Sequence, residues 1–188
     1  DTGAVQAADL NDISAATTGT VDVSLASDID GTVADVLQAV VTDTSITTSG
    51  AFDSTLSDTG AVQAADLNDI SAATTGTVDA SLASDIDGTV ADVLAVVNDA
   101  DITTSGAFDS TLSDTGVVQA ADLNDISAAT TGMVDVSLAS DIDGTAAAVA
   151  DVVNDLEITT STAFNSTLSD TGVVQAADLN DIAAATSG

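Results

Sequence analysis

The sequence predicts a repeat protein: a β-solenoid, that is, a parallel stack of short strands, with one short helix in each repeat of about 56 residues. Three observations predict this fold: tandem near-copies of one segment, short alternating apolar runs bounded by glycine-containing turns, and one helical stripe in each copy. An α/β solenoid with two strand–helix coils per repeat, resembling leucine-rich repeats in layout, is the alternative.

The tandem copies divide the whole chain. The segment DTGAVQAADLNDISAATTG opens the sequence, and near-copies start at Asp58, Asp114 and Asp170. The repeats are therefore residues 1–57, 58–113 and 114–169, followed by a partial copy at 170–188. No Pro-rich or long Gly/Ser linker separates them, and repeats of this kind bury their apolar faces against their neighbours. We expect one continuous stacked domain.

Two segments of each repeat have strand patterns, and a third is ambiguous. Val21, Val23 and Leu25 alternate with polar residues, which predicts a strand with one buried face. A further short strand is expected at residues 52–57. The segment 5–13 aligns with the residues sixteen positions later, but its apolar spacing suits either a strand or one to two helical turns.

The predicted helix follows the strand predicted at residues 21–25. Apolar residues recur at i, i+3, i+4, i+7 and i+8 over residues 33–41, which is a helical stripe. Thr32 is a good N-cap with Asp35 three residues later, and Thr89 with Asp92 repeats this capping box. The one extra residue of the first repeat falls in the same stretch.

Composition excludes most catalytic chemistry. The 188 residues include 31 acids and no Lys, Arg, His or Cys, giving a formal charge of −31. Disulfides, thiolate zinc sites, Ser-His-Asp triads and phosphate-binding lysines therefore cannot form. We expect no enzymatic activity, no nucleic-acid partner and no membrane insertion. The hydrophobic fraction of 45% nevertheless favours an ordered chain over a disordered acidic tail.

Two acidic motifs are candidate Ca²⁺ ligands. Aspartate and asparagine oxygens at alternating positions suit a hard cation, and cations would offset carboxylates for which the chain has no basic partner. The alternative is that the Asp-Gly pair of the first motif is a turn and that the second motif caps a helical turn. The residues are Asp28, Asp30, Asp85, Asp87, Asp141 and Asp143 in the Asp-Ile-Asp-Gly motif, and Asp9, Asn11, Asp12, Asp66, Asn68, Asp69, Asp122, Asn124, Asp125, Asp178, Asn180 and Asp181 in the Asp-Leu-Asn-Asp motif.

The motifs Thr-Gly-Thr-Val-Asp, Asp-Ile-Asp-Gly-Thr and Ala-Asp-Leu-Asn-Asp-Ile resemble the Asp/Thr/Ala-rich tandem repeats of very large secreted or cell-surface proteins of bacteria, cyanobacteria included. The whole chain is loosely similar to calcium-binding repeat exoproteins of this kind. The resemblance implies an extracellular or cell-surface location and a structural or adhesive role, often with calcium. It implies no catalytic residue.

Together these observations predict a structural module of an extracellular filament, sheath or cell-surface stalk, assembled by axial stacking of solenoid repeats. Its expected partner is itself, as a head-to-tail homopolymer or as a longer covalent array, with divalent cations as possible ligands. Because the sequence starts at Asp1 without Met, we expect a processed product or a segment of a longer protein. A calcium-dependent adhesion module is the alternative function. An ice-binding solenoid is disfavoured because the Thr-Thr pair at residues 47–48 recurs only once per repeat.

Overall fold

The structure, a computed structural model, describes residues 2–187 and is a mixed α/β protein with short parallel strands in small sheets. Its described residues form seven helices: α1 (Ala7–Ala16), α2 (Val33–Leu37), α3 (Ala64–Ala72), α4 (Val90–Asn98), α5 (Ala120–Ala129), α6 (Ala146–Asn154) and α7 (Ala176–Ala185). The strands are β1 (Ala4–Gln6), β2 (Val21–Asp22), β3 (Asp28–Asp30), β4 (Ile46–Thr47), β5 (Ser54–Thr55), β6 (Ala61–Gln63), β7 (Val78–Asp79), β8 (Asp85–Asp87), β9 (Ile102–Thr103), β10 (Ser110–Thr111), β11 (Val117–Gln119), β12 (Val134–Val136), β13 (Asp141–Asp143) and β14 (Ile158–Thr160).

The chain forms two compact units. The first comprises the chain up to Ser84 together with Ala95–Ser105, and the second comprises Asp85–Leu94 and the chain from Gly106 onward. Both units are built from the same repeat, and each has its own parallel strand pairs. Among the described residues, every helix is too short or too polar to cross a lipid bilayer.

Strands in both units pair with the segment 24 residues further along the chain, and we call one such step a coil. The hydrogen bond between Asp53 and Thr77, for example, spans 24 residues and therefore crosses one coil. In the first unit β1 pairs with β3, β5 with β7 and β7 with β9, all in parallel at this step. In the second unit β10 pairs with β12, β12 with β14 and β11 with β13 at the same step. Strands of different sequence therefore lie side by side, and equivalent strands of successive repeats do not.

The extra residue of the first repeat lengthens one of these coils. Helix α2 continues as a π-helical turn at Gln38–Thr42, closed by a bond of 2.8 Å from the Asp43 N–H to the Gln38 carbonyl. A π turn accommodates one inserted residue without ending the helix. The β2–β4 pair spans this turn, with Val21 opposite Ile46, and its register step is one residue longer than the others.

The predicted helix and its capping boxes are confirmed. Thr32 Oγ1 accepts from the Asp35 N–H at 3.1 Å and donates to Asp35 Oδ2 at 2.7 Å, and Thr89 and Asp92 repeat both distances. In the third repeat, where the acid three residues after the threonine is missing, Thr145 still caps α6 by accepting from the Ala148 N–H at 3.2 Å.

The prediction of one helix per repeat is wrong, because each complete repeat has two. The ambiguous segment forms α1, α3 and α5, and the partial copy forms α7. Four of the ten residues of α1 and of α5 are Ala, the strongest helix former, and only one, the isoleucine, is β-branched. Two helices per repeat is the layout of the α/β alternative, with which the structure is compatible.

The strand predicted at residues 21–25 is shorter than expected. It ends at Asp22, whose carboxylate accepts from the Ser24 N–H at 3.0 Å and turns the chain. Leu25 consequently lies in a turn with 71% of its surface exposed, although the alternation predicted that it was buried. The strand expected at 52–57 is confirmed by β5, which isolated bridges at Asp53 and Leu56 extend on either side.

The core of each unit is made of small apolar side chains around phenylalanine. Phe52 lies in the first unit and Phe108 and Phe164 in the second, and all three are fully buried. The central isoleucines of β3, β8 and β13 are also fully buried. None of the acidic residues that the structure describes is buried in these cores.

Candidate functional site

The Asp-Ile-Asp segments predicted to bind calcium are the strands β3, β8 and β13. Because side chains alternate along a strand, the two carboxylates flank the buried isoleucine on the opposite, partly exposed face. These segments are therefore strands and not the turns of the alternative interpretation. The second aspartate of each accepts from a backbone N–H one coil later: Asp30 from Thr55 (2.8 Å), Asp87 from Thr111 (2.7 Å) and Asp143 from Thr167 (2.7 Å).

The Asp-Leu-Asn-Asp segments lie in α1, α3, α5 and α7. The asparagine amide links neighbouring helices: Asn11 Nδ2 donates to the Asp35 carbonyl at 3.0 Å, and Asn124 Nδ2 donates to the Ala148 carbonyl at 3.1 Å. The buried Asn11 Oδ1 has no partner among the described residues. The second aspartate of each motif is exposed: Asp12, Asp69, Asp125 and Asp181.

The predicted ligands are not gathered into a metal centre in the described part of the chain. Residues 2–187 contain no group of three or more acidic side chains placed to hold one metal ion. The Asp-Ile-Asp carboxylates lie on strands and the Asp-Leu-Asn-Asp carboxylates on helices. Calcium binding stays a prediction from the sequence.

Aspartates that the motif analysis did not single out cap the second helix of each repeat. The first residue of a copy accepts a hydrogen bond from the first helical N–H of the preceding repeat. This carboxylate satisfies an N–H that has no partner within its helix, at the end where the helix dipole favours negative charge. The three bonds are all 2.7 Å long: Val33 N–H to Asp58, Val90 N–H to Asp114 and Ala146 N–H to Asp170.

A second recurring carboxylate follows that helix. Asp43 Oδ2 accepts from Ser14 Oγ at 2.6 Å, and its Oδ1 accepts from the Ser45 N–H at 2.8 Å. The Ser14 hydroxyl and then the Ser45 N–H stabilise the ionised form and lower the pKa of Asp43 below its ordinary value. The serine–aspartate bond recurs from Ser71 to Asp99 at 2.8 Å and from Ser127 to Asp155 at 2.7 Å.

A third carboxylate contact crosses one coil. Asp53 Oδ1 accepts from the Thr77 N–H at 2.7 Å and from Thr77 Oγ1 at 3.0 Å. The backbone N–H and then the hydroxyl lower the pKa of Asp53. Asp109 makes the corresponding bond with the Met133 N–H at 2.6 Å.

In all of these contacts the carboxylates act as hydrogen-bond acceptors. Since the sequence has no Lys, Arg or His, the described carboxylates accept from backbone N–H groups, from hydroxyls and, at Asp181, from the Asn154 amide. One signal in the sequence points to the helix-capping aspartates, because an aspartate opens every copy of the repeat. The register step that would identify the donors is not visible in the sequence, because the repeat is not a whole number of coils long.

Shallow polar grooves lie beside the serine–aspartate bonds. In the first unit Asn11, Asp12, Ser14, Gln38 and Asp43 line a groove of about 530 Å³. In the second unit the equivalent groove, of about 420 Å³, is lined by Asn124, Ser127, Asp151, Asp155 and Glu157. Small-molecule sites are usually lined by apolar and aromatic side chains, and these open grooves with polar and acidic lining differ from that pattern.

A scan against protein-family models, a search of curated proteins and a search of solved structures each found no match for this chain.

Proposed function

We propose that the chain is a structural module of an extracellular filament, sheath or cell-surface stalk, built as an α/β solenoid whose coils have the length of the register step. The observation that carries the proposal is the recurrence of this step in both units, lengthened by one residue where the pairing spans the π turn of the first repeat. Seven coils are as long as three repeats of the common length, so each repeat advances the chain by two coils and one third. Repeats then stack axially, within one chain or from chain to chain.

The carboxylate contacts support a mechanical role. Asp30, Asp53 and Asp58 each bond a backbone N–H about one coil away, so acids link adjacent coils in addition to the strand hydrogen bonds. The links recur in both units with the same geometry. A chain linked at every coil resists local unfolding better than one linked only through its apolar core.

Composition and resemblance support the extracellular location. A surface of carboxylates without Lys or Arg keeps arrays soluble and leaves trypsin-like proteases no cleavage site. The similarity of the motifs to repeats of bacterial surface proteins points the same way.

Small-angle X-ray scattering and negative-stain microscopy of the purified 188-residue chain test the proposal. We expect an elongated particle whose length grows in proportion when one further repeat is inserted. A compact particle, or a length that does not change with the number of repeats, would contradict a solenoid module.

A further inference from the structure

The four copies of the first helix differ in which of their apolar side chains are covered. All four carry the sequence Ala-Ala-Asp-Leu-Asn-Asp-Ile, but α1 has only a following helix beside it in the described chain and α7 has only a preceding one. The comparison therefore separates the side chains that a following helix covers from those that a preceding helix covers.

The leucine is covered by the following helix. Leu10 of α1 is 4% exposed although no helix precedes it, and the internal Leu67 and Leu123 are fully buried. Leu179 of α7, which has no follower, is 43% exposed. The isoleucine shows the opposite pattern, since Ile13 is 53% exposed in α1. Its counterpart in α7, Ile182, is 7% exposed.

Polar contacts on the same face agree. Asn11 and Asn124 donate to a carbonyl of the following helix, whereas Asn180 is exposed and has no partner in the part of the chain that the structure describes. The alanine that opens the helix is fully buried at Ala120 but exposed at Ala176.

We propose that the open face of α7, formed by Ala176, Leu179 and Asn180, binds the second half of another copy of the repeat, the part equivalent to residues 20–57. This inference rests on the proposed stacking function and specifies its partner. In the first unit that half supplies α2, which covers Leu10, and in the second unit it supplies α6, which covers Leu123. At both junctions the asparagine donates to the carbonyl of the third residue of a second-half helix, Asp35 of α2 and Ala148 of α6.

The proposal has a consequence for assembly. A chain of 188 residues presents a first-half helix at each end of its described part, α1 and α7, so these two faces do not reproduce an internal junction. A chain that ends with residues equivalent to 20–57 and begins at Asp1 reproduces the internal junction between residues 57 and 58. Head-to-tail association therefore requires the second half at the C-terminal end.

The test lengthens the full chain after Gly188 in two ways. The test chain carries a copy of residues 20–57, and the control carries two copies of residues 1–19, which match it in length and in number of acids. In the test chain we expect hydrogen exchange of residues 176–185 to slow at least about tenfold. Leu179→Ala should lower the Tm by about 5 °C or more, against less than about 2 °C in the unextended chain. Sedimentation should show head-to-tail oligomers of the test chain only.

Two outcomes overturn the inference. In the first, the hydrogen exchange of α7 and the decrease in Tm caused by Leu179→Ala are the same in the test chain as in the unextended chain. In the second, the control extension slows hydrogen exchange in α7 as much as the test extension does. Scattering reports separately on the proposed function, because an elongated particle with an unprotected α7 contradicts only the inferred partner.

Discussion

Individual glycines show how closely adjacent segments approach. A Cβ added at Gly132 would lie 2.1 Å from the Phe108 carbonyl oxygen, and one added at Gly76 would lie 2.2 Å from that of Phe52. Thr130 Oγ1, two residues before Gly132, donates to the same Phe108 carbonyl at 2.6 Å. The backbone of the Thr-Thr-Gly segment thus packs directly against the backbone at the phenylalanine. No side chain larger than that of glycine fits there.

We predict that Gly132→Ala destabilises the protein by about 3 kcal/mol or more, since backbone must move to relieve the overlap. Gly116→Ala is the matched control in the same unit, because a Cβ there meets no atom within 4 Å. Urea unfolding followed by circular dichroism measures both. Equal midpoints for the two variants would contradict the close approach.

Aspartate at position 43 links the pH dependence of stability to a single side chain. The pKa of Asp43 is lowered in the folded protein, so the stability it contributes is fully present above the ordinary aspartate pKa. That contribution is lost as the pH falls through the lower, folded pKa, because protonation then weakens the bonds from Ser14 and Ser45.

We therefore predict that Asp43→Asn lowers the Tm at pH 7 and that the difference from the wild type disappears as the pH falls through the lowered pKa of Asp43. Thermal unfolding at a series of pH values measures this, and Asp12→Asn, at an exposed position, is the control. A difference in Tm that stays the same from neutral pH into the acid range where Asp43 is protonated would show that the substitution acts through packing and not through charge.

At the scale of elements, the second helix of each repeat was predictable because its signals are local. The capping box and the apolar stripe lie within ten residues, and the extra residue of the first repeat falls inside the helix as expected. The first helix was ambiguous because few large apolar residues, such as Leu10 and Ile13, mark its apolar face. The two are also covered differently, since Leu10 is buried and Ile13 is 53% exposed. Alternation overestimated the strand at 21–25 because the Asp22 side chain ends it through a local turn.

Strand neighbours could not be predicted, because the sequence period and the structural step differ. Each strand pairs with a segment of unlike sequence: Val21 lies opposite Ile46, and Ser54 lies opposite Val78. Self-similarity at the repeat period indicates that copies stack but not which residues meet. The same mismatch concealed Asp58, Asp114 and Asp170 as helix caps, because each acts one coil away from its helix.

We predict that Asp170→Ala destabilises the second unit by about 1–2 kcal/mol, because the Ala146 N–H loses its acceptor at the start of α6. Asp170→Asn should recover part of this loss, since an amide oxygen can still accept the bond. Hydrogen exchange at the first turn of α6 should accelerate in the alanine variant. Unchanged exchange there, with an unchanged Tm, would show that the cap contributes nothing.

For the whole molecule, the charge of −31 without a single basic side chain sets the response to salt. Backbone N–H groups and hydroxyls stabilise individual carboxylates but leave the net charge unchanged, so the folded chain repels itself more than the expanded unfolded chain does. At physiological ionic strength, the Debye length is about 8 Å, which screens this repulsion only partly.

We predict that raising NaCl from about 10 mM to about 500 mM increases the Tm, because screening relieves repulsion chiefly in the compact state. Calcium is tested on the same protein by adding CaCl₂ at constant ionic strength, with MgCl₂ as the control. Diffuse screening gives a gradual rise that depends on ionic strength, whereas specific sites give a Tm that saturates at low CaCl₂ and falls on chelation. Since Asp30, Asp53 and Asp58 already accept bonds from backbone N–H groups about one coil away, we expect salt alone to stabilise the fold. A Tm independent of NaCl would contradict that account, and a saturable response to calcium alone would establish the calcium sites that the acidic motifs predict.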